Sequence, residues 1–179
     1  GNLFPELEVL SVASLSDNHY GDECAAYVTA HVQRGIKFSI ARLPRLRRLS
    51  INELAGFTCN MGTDEFEMAT HAILVACPVL EHLSIRHGMM WTGGSNPVPA
   101  QPLPRATSCF NALPSTIKSL KLAQIQVTTA AFETAVVPEL REIELDQCGP
   151  DAEATGKLLV SASPKSVSLK WNNCAPSRR

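Results

Sequence analysis

Residues 77–85 have the sequence Cys77-Pro78-Val79-Leu80-Glu81-His82-Leu83-Ser84-Ile85, and its skeleton, P-x-L-x-x-L-x-(I/L/V), recurs along the chain. We call this skeleton the strand motif. It occurs again at residues 4–12, 43–51 and 137–145. Two copies are imperfect: residues 113–122 carry one extra residue after the proline, and residues 163–171 have Ser166 in place of the first leucine. Six copies in 179 residues indicate a repeat array.

The spacing of the strand motif is irregular. The last two intervals fall in the roughly 20–29-residue range of leucine-rich repeats, and the longer ones leave room for extra helix and loop. The second leucine position is occupied by Leu10, Leu49, Leu83, Leu120, Ile143 and Leu169, at intervals of 39, 34, 37, 23 and 26 residues.

Each motif predicts a β-strand with one apolar face, because residues two apart, such as Leu83 and Ile85, point to the same side. Such a strand cannot bury its apolar face alone, so neighbouring repeats stack their strands in parallel with helices behind them. We therefore predict an α/β fold, a leucine-rich repeat solenoid (a horseshoe segment) with about six parallel strands on the concave face and helices on the convex face. The inward positions three residues past each strand are Leu15, Leu54, Gly88, Ile125, Cys148 and Cys174.

The connections between motifs predict the helices. Apolar periodicity and capping residues predict a helix from Thr63 until Pro78 stops it, and another that begins at Asp151. The same signals predict helices over 22–35 and 127–136, a short helix over 106–112, and a short strand or extended return segment over 36–40.

We interpret residues 1–179 as a single leucine-rich repeat domain. Since the chain opens at Gly1 beside a motif, we expect it to be a fragment of a longer array. A Gly/Pro-rich stretch at 88–104 interrupts the pattern and predicts a surface insertion. Trp171 occupies an inward leucine position of the last motif, which predicts a core residue.

Composition narrows the class of partner. The net charge of −1 gives no argument for binding nucleic acid or an anionic membrane, and no apolar run is long enough to cross a bilayer. The six cysteines show no C-x-x-C or zinc-ligand spacing. A chain of this size can build a core without disulfides, so we expect reduced thiols and a cytoplasmic or nuclear location.

The outward strand positions form the inner wall of the predicted solenoid, where such proteins usually bind their partners. Basic residues cluster on the second to fourth strands and the fifth is acidic, so a complementary partner would carry the opposite polarity. The alternative is that unlike charges on an exposed face only aid solubility. The insertion adds Trp91, a residue type enriched at binding hot spots. The candidate partner-binding residues are Arg48, Asn52, His82, Arg86, Trp91, Lys121, Glu142, Glu144, Asp146 and Lys170.

No catalytic or phosphate-binding motif occurs in the sequence, so we predict a protein that is not an enzyme and has no cofactor or metal. His82 and His87 flank Arg86, but we interpret them as surface residues rather than a metal or catalytic pair. We interpret Asp64, Glu65 and Glu67 as first-turn helix residues rather than as a catalytic acidic set.

Residues 77–85, with the pattern C-P-x-L-x-x-L-x-I, and residues 138–148, with P-x-L-x-x-L-x-L-x-x-C, resemble the repeats of F-box leucine-rich-repeat proteins, the cysteine-containing class of the ribonuclease-inhibitor-like superfamily. The resemblance extends from Pro5 to Cys174. It implies that these repeats hold the substrate of a cullin ubiquitin ligase, whose adaptor binds an upstream F-box. No segment of this chain resembles an F-box.

Two other functions fit the same pattern. The repeats resemble the sensor region of nucleotide-binding immune receptors, and a P-loop upstream of this chain would favour that function. A generic leucine-rich repeat scaffold is the other alternative. A secreted structural repeat protein would instead form disulfides among the six cysteines, and a thiol titration that finds all six free would exclude it.

The Trp91→Ala substitution tests the insertion. If Trp91 contacts a partner, the variant binds that partner more weakly and keeps its melting temperature nearly unchanged. A lower melting temperature, measured by circular dichroism, would instead assign Trp91 to the core.

Overall fold

The chain has an α/β fold built on a six-stranded parallel sheet. The structure, a computed structural model, describes residues 6–12, 43–51, 63–87 and 103–174. Strands β1, β2, β3, β5, β7 and β8 form the large sheet in that order, and β4 and β6 form a small parallel pair behind it. The strands are β1 (Val9–Val12), β2 (Arg48–Ile51), β3 (His82–Arg86), β4 (Arg105–Ala106), β5 (Ser119–Ala123), β6 (Gln126–Val127), β7 (Glu142–Asp146) and β8 (Ser168–Asn172).

The proline of the strand motif lies in the turn that leads into β2, β3 and β7. In the second motif, the N–H of Leu46 donates to the carbonyl of Leu43 at 3.1 Å, and Pro44 occupies the second position of this four-residue turn. Proline favours that position because its fixed φ is already the one that the turn requires. The same turn recurs at residues 77–80 and 137–140.

All five strand junctions share one register. Leu49 of β2 lies beside Leu10 of β1 and Leu83 of β3, and the corresponding leucine or isoleucine aligns at every other junction. The motif therefore stacks on itself, and its two apolar strand positions form continuous buried rows across β2, β3, β5 and β7. These rows contain Leu49, Leu83, Leu120 and Ile143, and then Ile51, Ile85, Leu122 and Leu145.

Within the described residues, two α-helices lie behind the sheet, and both were predicted. Helix α1 (Thr63–Ala76) buries Phe66, Ile73 and Leu74, and it ends before Pro78 as expected. Helix α2 (Ala152–Ala162) follows Asp151, which occupies the N-cap position but makes no side-chain capping hydrogen bond.

The predicted helices over 127–136 and 106–112 are wrong in type. The chain there forms β6 and β4, each followed by one 3₁₀ turn, Thr129–Phe132 and Cys109–Ala112 respectively. Helix 127–136 does not form because Thr128 is extended and its hydroxyl donates to the carbonyl of Ala106. Such side-chain bonds to the backbone compete with helix formation. The two 3₁₀ turns pack through Phe110 and Phe132, whose rings stack with centroids 4.9 Å apart.

Glu67 joins α1 to the segment that follows β4. Its carboxylate accepts hydrogen bonds from the backbone N–H groups of Thr107, at 2.5 Å, and Ser108, at 2.8 Å, and from the Ser108 hydroxyl, at 2.6 Å. Burial raises the pKa of Glu67, but hydrogen bonds from Ser108, Thr107 and Cys109 outweigh it and leave the pKa below its ordinary value. The prediction that Glu67 serves the first turn of its own helix is therefore wrong.

The core-facing side chains of β8 are less buried than those of β7. Trp171, predicted as a core residue, is 45% exposed, whereas Leu145 beside it on β7 is fully buried. The reason is positional: β8 has a neighbour on one side only among the described residues. The approach of α2 partly compensates, because Gly156 lies against the side chain of Leu169 and has no Cβ to keep the helix away.

Several predictions lie outside the described residues. These are the helix over 22–35, the segment 36–40, the inward positions Leu15, Leu54 and Gly88, and the insertion up to residue 102. At the end of the insertion, the carbonyl of Pro104 accepts a hydrogen bond from the backbone N–H of Gln126 at 2.9 Å.

We expect the Thr155→Val substitution to stabilise the protein by about 1 kcal/mol, because a buried hydroxyl without a partner loses its hydration on folding. Thr155 in α2 is fully buried, and its Oγ1 has no hydrogen-bond partner within the described part of the chain. The melting temperature should rise by roughly 2–4 °C. Thr134→Val, at an exposed position, is the matched control and should change stability little. A less stable Thr155→Val variant would show that the hydroxyl has a partner.

Candidate protein-binding face

The face of the large sheet that points away from the core carries polar side chains in rows, and we call it the open face. The shared register aligns these rows across the strands. The row at the strand starts contains Val9, Arg48, His82, Ser119, Glu142 and Ser168. The middle row contains Ser11, Ser50, Ser84, Lys121, Glu144 and Lys170, and the last row contains Arg86, Ala123, Asp146 and Asn172.

Lys121 lies at the centre of the open face and is paired with the acidic strand. Its Nζ is 3.2 Å from a carboxylate oxygen of Glu142 and 3.1 Å from one of Glu144. Hydrogen bonds to Glu144 and Glu142 raise the pKa of Lys121. Lys121, predicted as a partner-binding residue, is therefore already paired with two carboxylates of its own chain.

Glu142 receives a second donor on the same face. The hydroxyl of Ser119, a residue with only 6% of its surface exposed, donates to Glu142 Oε2 at 2.9 Å. This hydrogen bond has the largest effect on the pKa of Glu142. Together with the contact to Lys121, it lowers that pKa despite the opposing effect of burial. Ser119 was not among the predicted partner-binding residues, because a serine between Lys118 and Leu120 gives no sign of which carboxylate it will face.

Arg86 on β3 reaches Asp146 on β7 across the intervening strand. The guanidinium lies 3.9 Å from the carboxylate, and Ala123 of β5 occupies the position between them. A larger side chain at position 123 would stand between the two charges. Arg86, Lys121, Glu142, Glu144 and Asp146 make up a charged cluster, which consists of the Arg86–Asp146 pair and the pairs of Lys121 with Glu142 and Glu144.

The remaining predicted cations lie at the two sides of this cluster. Arg48 on β2 and Lys170 on β8 are exposed, and neither forms an ion pair with another described residue. His82, half-buried beside Arg48, has a pKa lowered by burial first and by the charge of Arg48 second, so it is mostly neutral at pH 7. Asn52 and Trp91 lie outside the described residues.

Strands β5, β7 and β8 leave the sheet through turns that sequence reasoning did not identify. Gln124, Gln147 and Asn173 each directly follow a strand, and all three have positive φ values, of 59°, 55° and 52°. Their amides extend the polar surface, because Gln124 donates to Gln147 at 3.1 Å and Asn173 donates to Asp146 at 3.3 Å. Asparagine often adopts this conformation but glutamine does not, so the turns at Gln124 and Gln147 give no local signal in the sequence.

The described side chains do not form a recognisable catalytic arrangement. His82 is the first residue of β3 and His87 directly follows its last residue, so the two lie about 16 Å apart at the usual rise per residue. Burial raises the pKa of Cys77 to about 11 and that of Cys148 to about 12, so both thiols stay protonated near neutral pH. No group of three histidine, cysteine or acidic residues within the described part could hold a metal ion.

The chain matches no protein-family model, and searches of the curated proteins and of the solved structures return no significant match. None of the helices in the described residues is both long and apolar enough to span a membrane.

The titration of Glu142 tests this cluster. We expect Ser119→Ala to raise the pKa of Glu142, read from the side-chain carboxyl carbon by NMR, because the largest stabilising contact of the carboxylate is removed. A carboxyl whose pKa is lowered by folding contributes stability above its ordinary value of 4.5, and the contribution disappears as pH falls through the folded pKa. The variant should therefore lose about 1 kcal/mol at pH 7 and progressively less below pH 4.5.

Two further variants complete the titration experiment. Lys121→Met should also raise the pKa of Glu142, with a stability cost of less than about 1 kcal/mol because the pair is solvent-exposed. Ser84→Ala lies on the same face, makes no hydrogen bond to Glu142 and serves as the control. An unchanged Glu142 pKa in Ser119→Ala would contradict the assigned bond.

Proposed function

We propose that the chain is a leucine-rich repeat solenoid segment that binds a protein partner on its open face, as the substrate-recognition repeats of an F-box-type ubiquitin-ligase receptor. The observation that carries the proposal is the shared register. Six copies of one motif give six parallel strands, and their outward residues form a single polar face.

The dimensions of the open face favour a protein partner. Six strands at the usual spacing span about 24 Å, and five residues extend about 16 Å, which gives an area of about 400 Å². A standard interface buries roughly 800 Å² on each partner, so the face supplies about half of one. The strand-exit turns and the insertion at 88–104 would supply the rest, since insertions in repeat arrays often map to the binding face.

The charge of the open face favours a partner of mixed polarity. The described face carries four cations, Arg48, Arg86, Lys121 and Lys170, against three carboxylates, Glu142, Glu144 and Asp146. Three of the four cations pair with these carboxylates or lie directly beside one. Such a balanced surface does not attract a polyanion, so the proposal excludes nucleic acid as the partner.

The ligase role rests on the resemblance of the repeats. It implies a non-enzymatic subunit without a cofactor in the cytoplasm or nucleus, whose contact with the ligase adaptor would require an upstream F-box. The chain itself would therefore capture the substrate and not the adaptor.

Affinity capture with matched variants tests the open face. The double variant Arg48→Glu/Lys170→Glu reverses the two outer cations of the face. The control Arg105→Glu/Lys157→Glu makes the same charge change at exposed positions of β4 and α2. We expect the first to weaken capture of a specific partner about tenfold, or about 1.4 kcal/mol, and the second to leave it unchanged.

Mass spectrometry of the captured proteins tests the ligase role. When the complete gene product is the bait in its own cells, we expect a cullin and its adaptor together with the partner that the open-face variant loses. Equal loss with both variants would place binding elsewhere. Specific partners without a cullin or adaptor would contradict the ligase role but not the binding face.

A further inference from the structure

The two edges of the large sheet, β1 and β8, each lack a second strand neighbour within the described part of the chain. Strand edges carry unpaired backbone groups and are natural sites for adding another strand. The question is which strand would fit them.

The backbone groups at the two edges match. At every internal junction, the N–H of the first strand residue donates toward the preceding strand, as Ser168 does to Arg141 at 2.8 Å. By the alternation of parallel ladders, Val9 and Ser11 direct their N–H and C=O groups away from β2. Leu169 and Trp171 likewise direct theirs away from β7. The outer side of β1 therefore presents the groups that the outer side of β8 requires.

Both edges also leave apolar core positions partly uncovered. On β8, Leu169 is half-buried and Trp171 is exposed, although the equivalent residues of β7 are fully buried. At the other edge, Leu7 and Leu10 are only partly buried, whereas Leu46 beside Leu7 is fully buried. A strand added at either edge would cover these side chains.

The two edges carry opposite charges at one position of the motif. The residue after the motif proline is Glu6 at the β1 edge and Lys165 at the β8 edge. Inside the sheet, unlike charges at this position form ion pairs across a junction twice, between Glu6 and Arg45 and between Lys165 and Glu139. Contact between the two edges would set Lys165 beside Glu6 of a second molecule and repeat the same arrangement.

We propose that the β8 edge binds the β1 edge of a second copy of this chain, in the register of the internal junctions. Ser168 then lies beside Val9 of the second copy, Lys170 beside its Ser11, and Leu169 and Trp171 meet its apolar edge. Because the two surfaces differ, a pair of copies of this chain still presents one β1 edge and one β8 edge of the described sheet, so association continues head to tail instead of stopping at a dimer.

Sedimentation velocity over a wide concentration range tests the proposal. The average mass of the wild type should rise continuously with concentration. Ser11→Pro removes an N–H that faces away from β2, so it blocks the β1 edge without removing a ladder bond from the monomer. This variant should remain a monomer, and Ser11→Ala should behave as the wild type. Added to the wild type, Ser11→Pro should shorten the assemblies, because it keeps an intact β8 edge.

A second variant and a spectroscopic signal keep the test decisive if Ser11→Pro fails to fold. Trp171→Lys places a charge at the β8 edge and should also abolish growth, whereas Lys170→Ala, on the open face, should not. In a Trp91→Phe background, the emission of Trp171 should shift to shorter wavelength as concentration rises. A monomer at all concentrations, growth that stops at a dimer, or growth that survives both blocking variants would overturn the proposal.

Discussion

One backbone contact, repeated at each strand junction, fixes the arrangement of the sheet. The N–H of the first residue of each strand donates to the carbonyl of the residue that precedes the neighbouring strand, at 2.8–3.1 Å. The five bonds run from Arg48 to Glu8, His82 to Arg47, Ser119 to Glu81, Glu142 to Lys118 and Ser168 to Arg141. Since a slip of one residue would turn every strand over, these bonds determine which side chains reach the core and which lie on the open face.

A proline turn precedes β2, β3, β5 and β7, and the imperfect motifs show what it contributes. In the fourth motif one extra residue follows Pro114, and the turn moves along by one, so that Ile117 donates to the carbonyl of Pro114 itself. Ile117 is still fully buried, and β5 keeps the common register. In the sixth motif, Ser166 replaces the buried leucine of the turn and is exposed. The strand still pairs, but its core side is poorly covered.

The sequence predicts the six strands of the large sheet, their parallel order and the two α-helices of the described residues, because each follows from a periodic pattern or a proline that acts locally. It does not predict the 3₁₀ turns, since the fate of Thr128 depends on the carbonyl of Ala106, 22 residues earlier in the chain. The contacts of Glu67 escape notice for the same reason, because the N–H groups that it accepts belong to residues 107 and 108. The site is predicted in part: the outward residues are correctly placed in rows, whereas their pairing depends on distances that only the folded sheet defines.

The pairing within the charged cluster changes how the open face would recognise a partner. Ion pairs at solvent-exposed positions such as Lys121 with Glu144 contribute little to stability, so a partner can separate them at small cost. A partner that offers its own cation to Glu144 and its own carboxylate to Lys121 would replace one pair with two. A partner with a single sign of charge would leave one member buried and unpaired, which costs several kcal/mol. In the proposed binding function, the cluster would therefore favour specificity over affinity, because it would discriminate by the arrangement of unlike charges and not by net charge.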